Sequence, residues 1–333
     1  MRVTDLPTPA LVVERSLLEA NLDLMAAALP GRRLRPHVKA FKTTALARLM
    51  AERGHIGFTC ATLREVEGMA AAGLGADLLL ANEVLDARRL GVVAAAGARV
   101  TLAVDSDVTV RAAADGGVRE VVIDVNIGLP RCGCDPADAG RLAELARSLG
   151  LQVRGVMGYE GHVMLVEDPV DKLAQTQACM ALLLKAAADV GGELVSAGGT
   201  GTYRENTWCT EVQAGSYALM DTTYSAAGLP FAQALTVLAS VISTNPQGWA
   251  VADLGLKSLG MDHGNPTVPD GLVWFCSDEH TTFSPVDEAV FAVGDRVRVL
   301  PAHVDPTVAL HERMYLVDGD EVLETWPVDL RGW

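Results

Sequence analysis

Positive charge is scarce in this sequence: lysine and arginine total 27 against 42 acidic residues, a formal net charge of −15. That balance argues against a nucleic-acid partner and against an anionic membrane surface, since both are held by cationic side chains. No apolar run reaches the roughly 18 residues of a membrane span. Residues 1–20 carry charges, Pro7 and Pro9 where a secretory signal needs an apolar block. A soluble, cytoplasmic protein is expected. The six cysteines (Cys60, Cys132, Cys134, Cys179, Cys209 and Cys276) are scattered and read as reduced thiols rather than a disulfide framework. Cys132-Gly133-Cys134 has no second Cys or His pair at zinc-site spacing. No Gly-x-Gly-x-x-Gly follows the first strand, which disfavours a dinucleotide-binding fold.

What is present is apolar and periodic. Half of the 333 residues are apolar, enough for a large core in one big domain and a smaller one. Residues 11–13 read as a strand, and Ser16 as the cap of a helix in which Leu17, Leu18, Leu22 and Met25 recur at helical spacing. After Pro30-Gly31, strands are expected at 36–39, 57–61, 77–81, 100–104, 120–125, 153–157, 193–197 and 212–218. Helices at 44–51, 63–72, 85–95, 137–149 and 170–190 separate or follow them. Eight such strands predict a (β/α)8 TIM barrel over residues 15–234. From about Leu235 short strands follow one another with Gly, Pro and Asp between them. They predict a second, mainly β domain of residues 235–333 that also takes up the N-terminal strand in residues 1–14.

Only five of the cationic residues are lysines, and one of them, Lys39, ends the expected first barrel strand. A lysine in such a place is a candidate amine nucleophile, because desolvation and neighbouring cations lower its pKa; the plain alternative is a lysine snorkelling to the rim. Catalytic groups in a barrel come from the loops after the strands. Those loops hold Arg131 after the fifth, Tyr159 and His162 after the sixth, Gly198-Gly199-Thr200-Gly201-Thr202 after the seventh, with Gly215-Ser216-Tyr217 on the eighth. The glycine-rich loop offers backbone amides and two hydroxyls, a neutral way of cradling phosphate in an acidic protein. A phosphate cradle and a lysine at one barrel mouth suggest pyridoxal 5′-phosphate (PLP). Arg131 also fits a surface ion pair, Tyr159 and Tyr217 fit core residues, and His162 fits a ring bonded to a backbone carbonyl. His303-x-Asp305 follows an apolar strand of the β domain; on a strand both side chains face one side, so the pair is a candidate divalent-ion site or a chance juxtaposition.

Pro36-His37-Val38-Lys39, Arg131-x-Gly133, Tyr159 with His162, Gly-Gly-Thr-Gly-Thr and Gln213-Ala214-Gly215-Ser216-Tyr217, in this order, resemble the alanine racemase-like (fold type III) PLP enzymes. Within them the chain is most similar to the D-threonine aldolase and D-serine dehydratase group. Asp253-Leu254-Gly255-Leu256-Lys257, Asp278-Glu279-His280 and the stretch from Pro301 to Val308 extend the similarity to the C-terminus. The resemblance implies that Lys39 carries the cofactor, Arg131 donates to its phenolic oxygen and Tyr159 lies along its ring. It further implies that Thr200, Gly201, Thr202, Gly215, Ser216 and Tyr217 surround the phosphate, that His162 moves a proton, and that His303 and Asp305 hold a divalent ion. His-x-Asp in place of His-x-Cys points to Mn2+ before Mg2+, Ca2+ or Zn2+, because an oxygen donor suits harder ions than a thiolate does. Phe41 and Thr281 depart from the group, where histidine and glycine are usual, and bear on the substrate pocket.

The expected activity is PLP- and metal-dependent cleavage of D-β-hydroxy-α-amino acids to glycine and an aldehyde, in a homodimer. The alternative keeps the cofactor and dehydrates D-serine or D-3-hydroxyaspartate. Racemisation, which needs no metal, ranks below both, as does a PLP carrier without turnover, since single-domain carriers lack the C-terminal β domain.

Overall fold

The structure is a computed structural model that describes residues 1–333. The chain divides into two compact units: Met1–Leu24 with Ala40–Ala45 and Ser216–Arg331, and Met25–Lys39 with Leu46–Gly215 and Gly332–Trp333. In chain order the first elements are β1 (Ala10–Glu14), α1 (Arg15–Ala28), α2 (Thr44–Glu52), β2 (Phe58–Cys60), α3 (Leu63–Ala71), β3 (Leu78–Leu80) and α4 (Arg88–Ala95). Next come β4 (Val100–Val104), α5 (Asp107–Asp115), β5 (Glu120–Asp124), α6 (Ala139–Ser148), β6 (Gln152–Met157), α7 (Pro169–Val190), β7 (Leu194–Ala197) and β8 (Glu211–Val212).

Strands β2 to β8 pair in parallel in that order. They are short apolar runs rich in Val and Leu, buried on both faces as parallel strands require. Leu79, Ala103, Val122, Met157 and Leu194 form one buried cluster across β3 to β7. The expected first strand at 36–39 is corrected. Residues 34–37 make only isolated parallel bridges, Leu34 with Val212 and His37 with Thr59, and Val38–Ala40 turns into a 3-10 segment. Pro36 has no N–H to give a ladder, yet its carbonyl accepts from Thr59 at 2.9 Å, while the N–H groups of Arg35 and His37 donate to Val212 and Ala214 at 2.9 and 3.0 Å. This stave links the two edge strands and closes the barrel. The eighth strand is also shorter than 212–218: β8 stops at Val212, and Ser216–Ala218 is a 3-10 turn. Helix α5 was not expected; its start is set by Ser106, which caps Thr109 N–H in a reciprocal capping box.

At the end of the barrel where the strands begin, Arg35 pairs with Asp77 at 2.9 Å and Glu211 at 2.6 Å, and Arg154 with Asp77 at 2.8 Å. Burial alone would raise the Asp77 carboxyl, but Arg154 and Arg35 outweigh it and hold the pKa at about 2. The same pairs keep Arg35 charged in spite of its burial.

The other unit is built on α8 (Thr222–Ala226), β9 (Leu235–Asn245), β10 (Trp249–Ala252), β11 (Gly271–Cys276), β12 (Thr281–Pro285), β13 (Arg296–Val299), α9 (Val304–Ala309), β14 (Arg313–Asp318) and β15 (Glu321–Pro327). Its sheet runs β11-β12-β10-β9-β1-β14-β15, with β13 also on β9. The N-terminal strand β1 lies inside this sheet, antiparallel to β9 and parallel to β14, as the sequence implied. No helix is long and apolar enough to cross a membrane.

Candidate active site

All eight staves run the same way, so the segments after them emerge at one end. Lys39 follows the closing stave and is half-buried in its 3-10 turn. Arg131 follows β5 and Tyr159 follows β6, and the Arg131 guanidinium carbon lies 5.2 Å from the Tyr159 ring centroid, within cation–π range. The glycine-rich loop follows β7. It is organised by Glu160, whose buried carboxylate accepts from Gly198 N–H at 3.1 Å, Thr202 Oγ1 at 2.9 Å and Asn206 Nδ2 at 2.8 Å. The Thr202 hydroxyl is therefore directed to Glu160, and Thr200, beside it, is buried. A Cβ at Gly201 would overlap the Met164 carbonyl oxygen, so only glycine lets this loop close on the 159–164 segment. A backbone cradle without room for a side chain, a lysine and a cation-capped aromatic ring fit pyridoxal phosphate.

His162 lies on a 3-10 turn, Gly161–Val163, and its Nε2 stands 3.7 Å from the Cys179 thiol of α7. Two acidic groups at this mouth escaped the sequence reading. Asp124 closes β5, and Glu83 lies three residues beyond β3. Burial pushes the Asp124 carboxyl well above the usual carboxylate range; Glu83 and Asp105 add to the shift, and Arg131 opposes it. Burial and then Glu83 raise the Cys132 thiol to about 11. The signal for these residues was positional: both carboxylates come at or just after strand ends, where barrel chemistry concentrates.

In the β unit, Tyr217 is buried with its ring centroid 5.5 Å from that of Phe231, which makes it a core residue. The Ser216 hydroxyl donates to Asp305 Oδ1 at 3.2 Å, which sets a carboxylate beside a group expected to hold phosphate. His303 and Asp305 do not lie on a strand. His303 is the N-cap of α9 and Asp305 belongs to its first turn; Pro306 suits that first turn, where no N–H is needed. The strand argument for their convergence is thus withdrawn. Instead His303 meets two residues the sequence reading missed. Its Nδ1 is 2.7 Å from Asp262 Oδ2, and its ring stacks parallel on His263 with centroids 4.0 Å apart. Donor atoms of Asp262, His263 and His303 lie within 4.8 Å of one another. Two imidazoles and a carboxylate form a donor set fit for a divalent transition ion. The hydrogen bond to His303 holds Asp262 below the usual carboxylate range against its partial burial. Nothing in the spacing of residues 262 and 303 announces this group.

The two departures from the resemblance are interior residues. Phe41 is fully buried, and Thr281, on β12, donates its hydroxyl to the Leu254 carbonyl at 2.8 Å. Lys257 pairs with Glu279 at 2.8 Å and Asp278 at 3.5 Å, which ties together two of the stretches that carried the resemblance.

Fold and site together define an alanine racemase-like enzyme. Residues 13–223 match the family model described as alanine racemase, N-terminal domain, and residues 234–317 match the putative serine dehydratase domain. The chain belongs to the alanine racemase N-terminal domain family. It is 32% identical over its whole length to the 3-hydroxy-D-aspartate aldolase of Paracoccus denitrificans (strain Pd 1222), of which it covers 94%. It is 28% identical to the D-threo-3-hydroxyaspartate dehydratase of Delftia sp. (strain HT23), the match covering 98% of each chain. The solved D-threonine aldolase from Filomicrobium marinum superposes with a TM-score of 0.92 at 32% identity, covering 99% of this chain and 97% of that one.

Proposed function

We propose that the chain is a PLP- and divalent-metal-dependent carbon-carbon lyase that cleaves D-β-hydroxy-α-amino acids to glycine and an aldehyde. The observation that carries this reading is the pairing, in one chain, of the lysine and phosphate-type cradle of the barrel with a separate histidine and carboxylate donor group in the β unit. Full-length similarity to two proteins named as aldolases supports it.

Lys39 would carry the cofactor, with Arg131 donating to its phenolic oxygen and Tyr159 along its ring. Backbone amides of Thr200, Gly201 and Gly215 would hold the phosphate, with the hydroxyls of Thr200 and Ser216 beside them. The hydroxyl of Thr202, already donated to Glu160, acts by fixing the loop. His303 and Asp305 would serve the metal, for which Mn2+ is our first choice. When bound, the cofactor withdraws the electron pair left at Cα and the metal acts as a Lewis acid toward the substrate's β-hydroxyl. His162 takes the hydroxyl proton directly or through water. We place the enzyme in the cytoplasm as a homodimer; six free cysteines are in keeping with a reducing compartment.

The test is to incubate the purified protein with PLP and Mn2+ and, separately, D-threonine, D-3-hydroxyaspartate and D-serine. Glycine plus aldehyde, lost on chelation and restored by metal, is the expected result. Keto acid and ammonia would move the assignment to the dehydratase reading.

A further inference from the structure

The loop that carries Arg131 is braced from within. Val125 and Cys134 form a parallel bridge, and Asn126 N–H donates to the Cys134 carbonyl at 2.9 Å. The Asn126 side chain donates to the Leu129 carbonyl and accepts from Gly128 N–H, both at 3.0 Å. Gly133, at φ +103° and with the backbone of Asn126 where a Cβ would stand, donates its N–H to Asp105 Oδ2 at 3.3 Å. The backbone around Arg131 is thereby fixed, and what remains to be set is the direction of its guanidinium.

Asp124, just before this loop, has Glu83, Asp105 and Arg131 as its charged neighbours. Asp105 is already occupied, by Gly133 N–H and by the Thr109 hydroxyl at 3.4 Å. The Asp124 carboxyl is buried and meets the carboxyl of Glu83 in a side-chain hydrogen bond; the Cys132 thiol is the other side-chain partner of Glu83. Glu83 Oε1 is itself buried and faces no N–H or hydroxyl donor. Two buried carboxyl groups in contact cannot both stay ionised, and one proton between them removes the repulsion and supplies the missing donor. Burial favours the acid form at Asp124. The Arg131 guanidinium forms no ion pair with any of these acids and lies over the Tyr159 ring instead. A fully ionised cluster would draw it into the bidentate carboxylate pairing that arginine favours.

We infer that Glu83 and Asp124 share one proton, the Asp124 acid donating to the Glu83 carboxylate, and that this proton leaves the Arg131 guanidinium over Tyr159 free to serve the cofactor. Both are positioning residues, and neither is given a step of the reaction. The inference rests on the cofactor role proposed above for Arg131 and adds to it the groups that govern that role.

Asp124→Asn mimics the neutral acid, keeping a donor toward Glu83 with no proton to lose. Glu83→Gln removes the accepting carboxylate and offers Asp124 an amide N–H, which favours its ionised form. Infrared difference spectra of the native chain against each variant at neutral pH read the carbonyl stretch of a protonated carboxyl group. PLP titration from neutral to alkaline pH reads the cofactor side, and thermal unfolding checks that each variant is folded. The carboxylic band should be present in the native chain and absent from D124N. Native PLP affinity should fall toward alkaline pH, where the shared proton is lost, more steeply than that of D124N, which should stay within about threefold of native at neutral pH. E83Q should bind PLP about tenfold or more weakly at neutral pH, the scale of one charge-assisted hydrogen bond, and the double variant should regain most of that loss. A carboxylic band unchanged in D124N, or a double variant no better than E83Q, would overturn the inference. A native chain that forms no visible band with PLP would overturn the cofactor reading itself; the infrared band, read without cofactor, tells the two failures apart.

Discussion

The hydroxyl of Thr202 donates to the buried carboxylate of Glu160 at 2.9 Å, so a residue that reads as a phosphate donor is the internal brace of its own loop. Glu160 receives three donors, from Gly198, Thr202 and Asn206. Glu160→Gln would turn one accepting oxygen into an N–H group facing other donors. We expect a loss of about 1–3 kcal/mol in stability together with weaker PLP binding. Thr202→Val should show the same sign with a smaller effect, and Thr202→Ser should be near native. Chemical unfolding and PLP titration of the three variants check this order; equal PLP affinity in E160Q and the native chain would contradict it.

Gly201→Ala tests the cradle from its other side. Its Cβ would meet the Met164 backbone, which cannot swing aside as a side chain can. The loop must move, and overpacking of this kind costs about 1–3 kcal/mol. PLP affinity should fall by more than the thermal stability does, since the displaced amides are the ones assigned to the phosphate. A variant that keeps native PLP affinity would remove the loop from the cofactor site.

The architecture was legible because strand and helix periods alternate strongly from Pro30 to Ala218, and because the change of rhythm at Leu235 coincides with the start of β9. The closing stave was half legible. Its apolar pattern showed where it lies, but Pro36 breaks the ladder and Val38–Ala40 turns early. The barrel-mouth residues could be named because each follows a strand. The turn near His303 could not: Asp262 and His263 are polar residues of a tight turn, and what brings them to His303 is the bridge from Gly260 to His303, a contact between segments about forty residues apart that leaves no mark on local pattern. His303-x-Asp305 was singled out on a strand argument that the structure does not bear, since the pair starts a helix. Thr202 and Tyr217 show that a motif position can also serve the fold: Thr202 braces its loop on Glu160 and Tyr217 packs on Phe231.

Lys39→Ala addresses the cofactor directly. The lysine is half-buried at the mouth and follows a stave held on both sides by backbone bonds, so its truncation leaves the barrel closed. Thermal unfolding should shift by less than about 1 kcal/mol, as for a substitution away from core and caps. The visible absorption of the lysine-bound cofactor should disappear, and turnover with it. An unchanged visible band would transfer the cofactor to another lysine and sink the assignment.

Asp77 gives a prediction at the opposite end of the barrel, with a defined pH dependence. Its carboxyl sits between Arg154 and Arg35, all three buried, and its folded pKa is held at about 2 against an ordinary 3.8. A depressed folded pKa means that the charged form is favoured by folding. The contribution is fully present above pH ~4 and is lost as pH falls through the window from about 4 to 2. Asp77→Asn removes the charge at every pH and leaves Arg154 without its close carboxylate partner, a change that costs about 3–5 kcal/mol when a buried pair is broken. Near neutral pH the variant should be less stable by that order. Below pH ~4 the Asp77 carboxyl of the unfolded native chain takes up a proton while the folded one stays charged down to about pH 2, so the gap between the two proteins should narrow. Urea unfolding at pH 7, 5, 4 and 3 measures the gap; a gap independent of pH would show that Asp77 contributes by shape and hydrogen bonding rather than by charge.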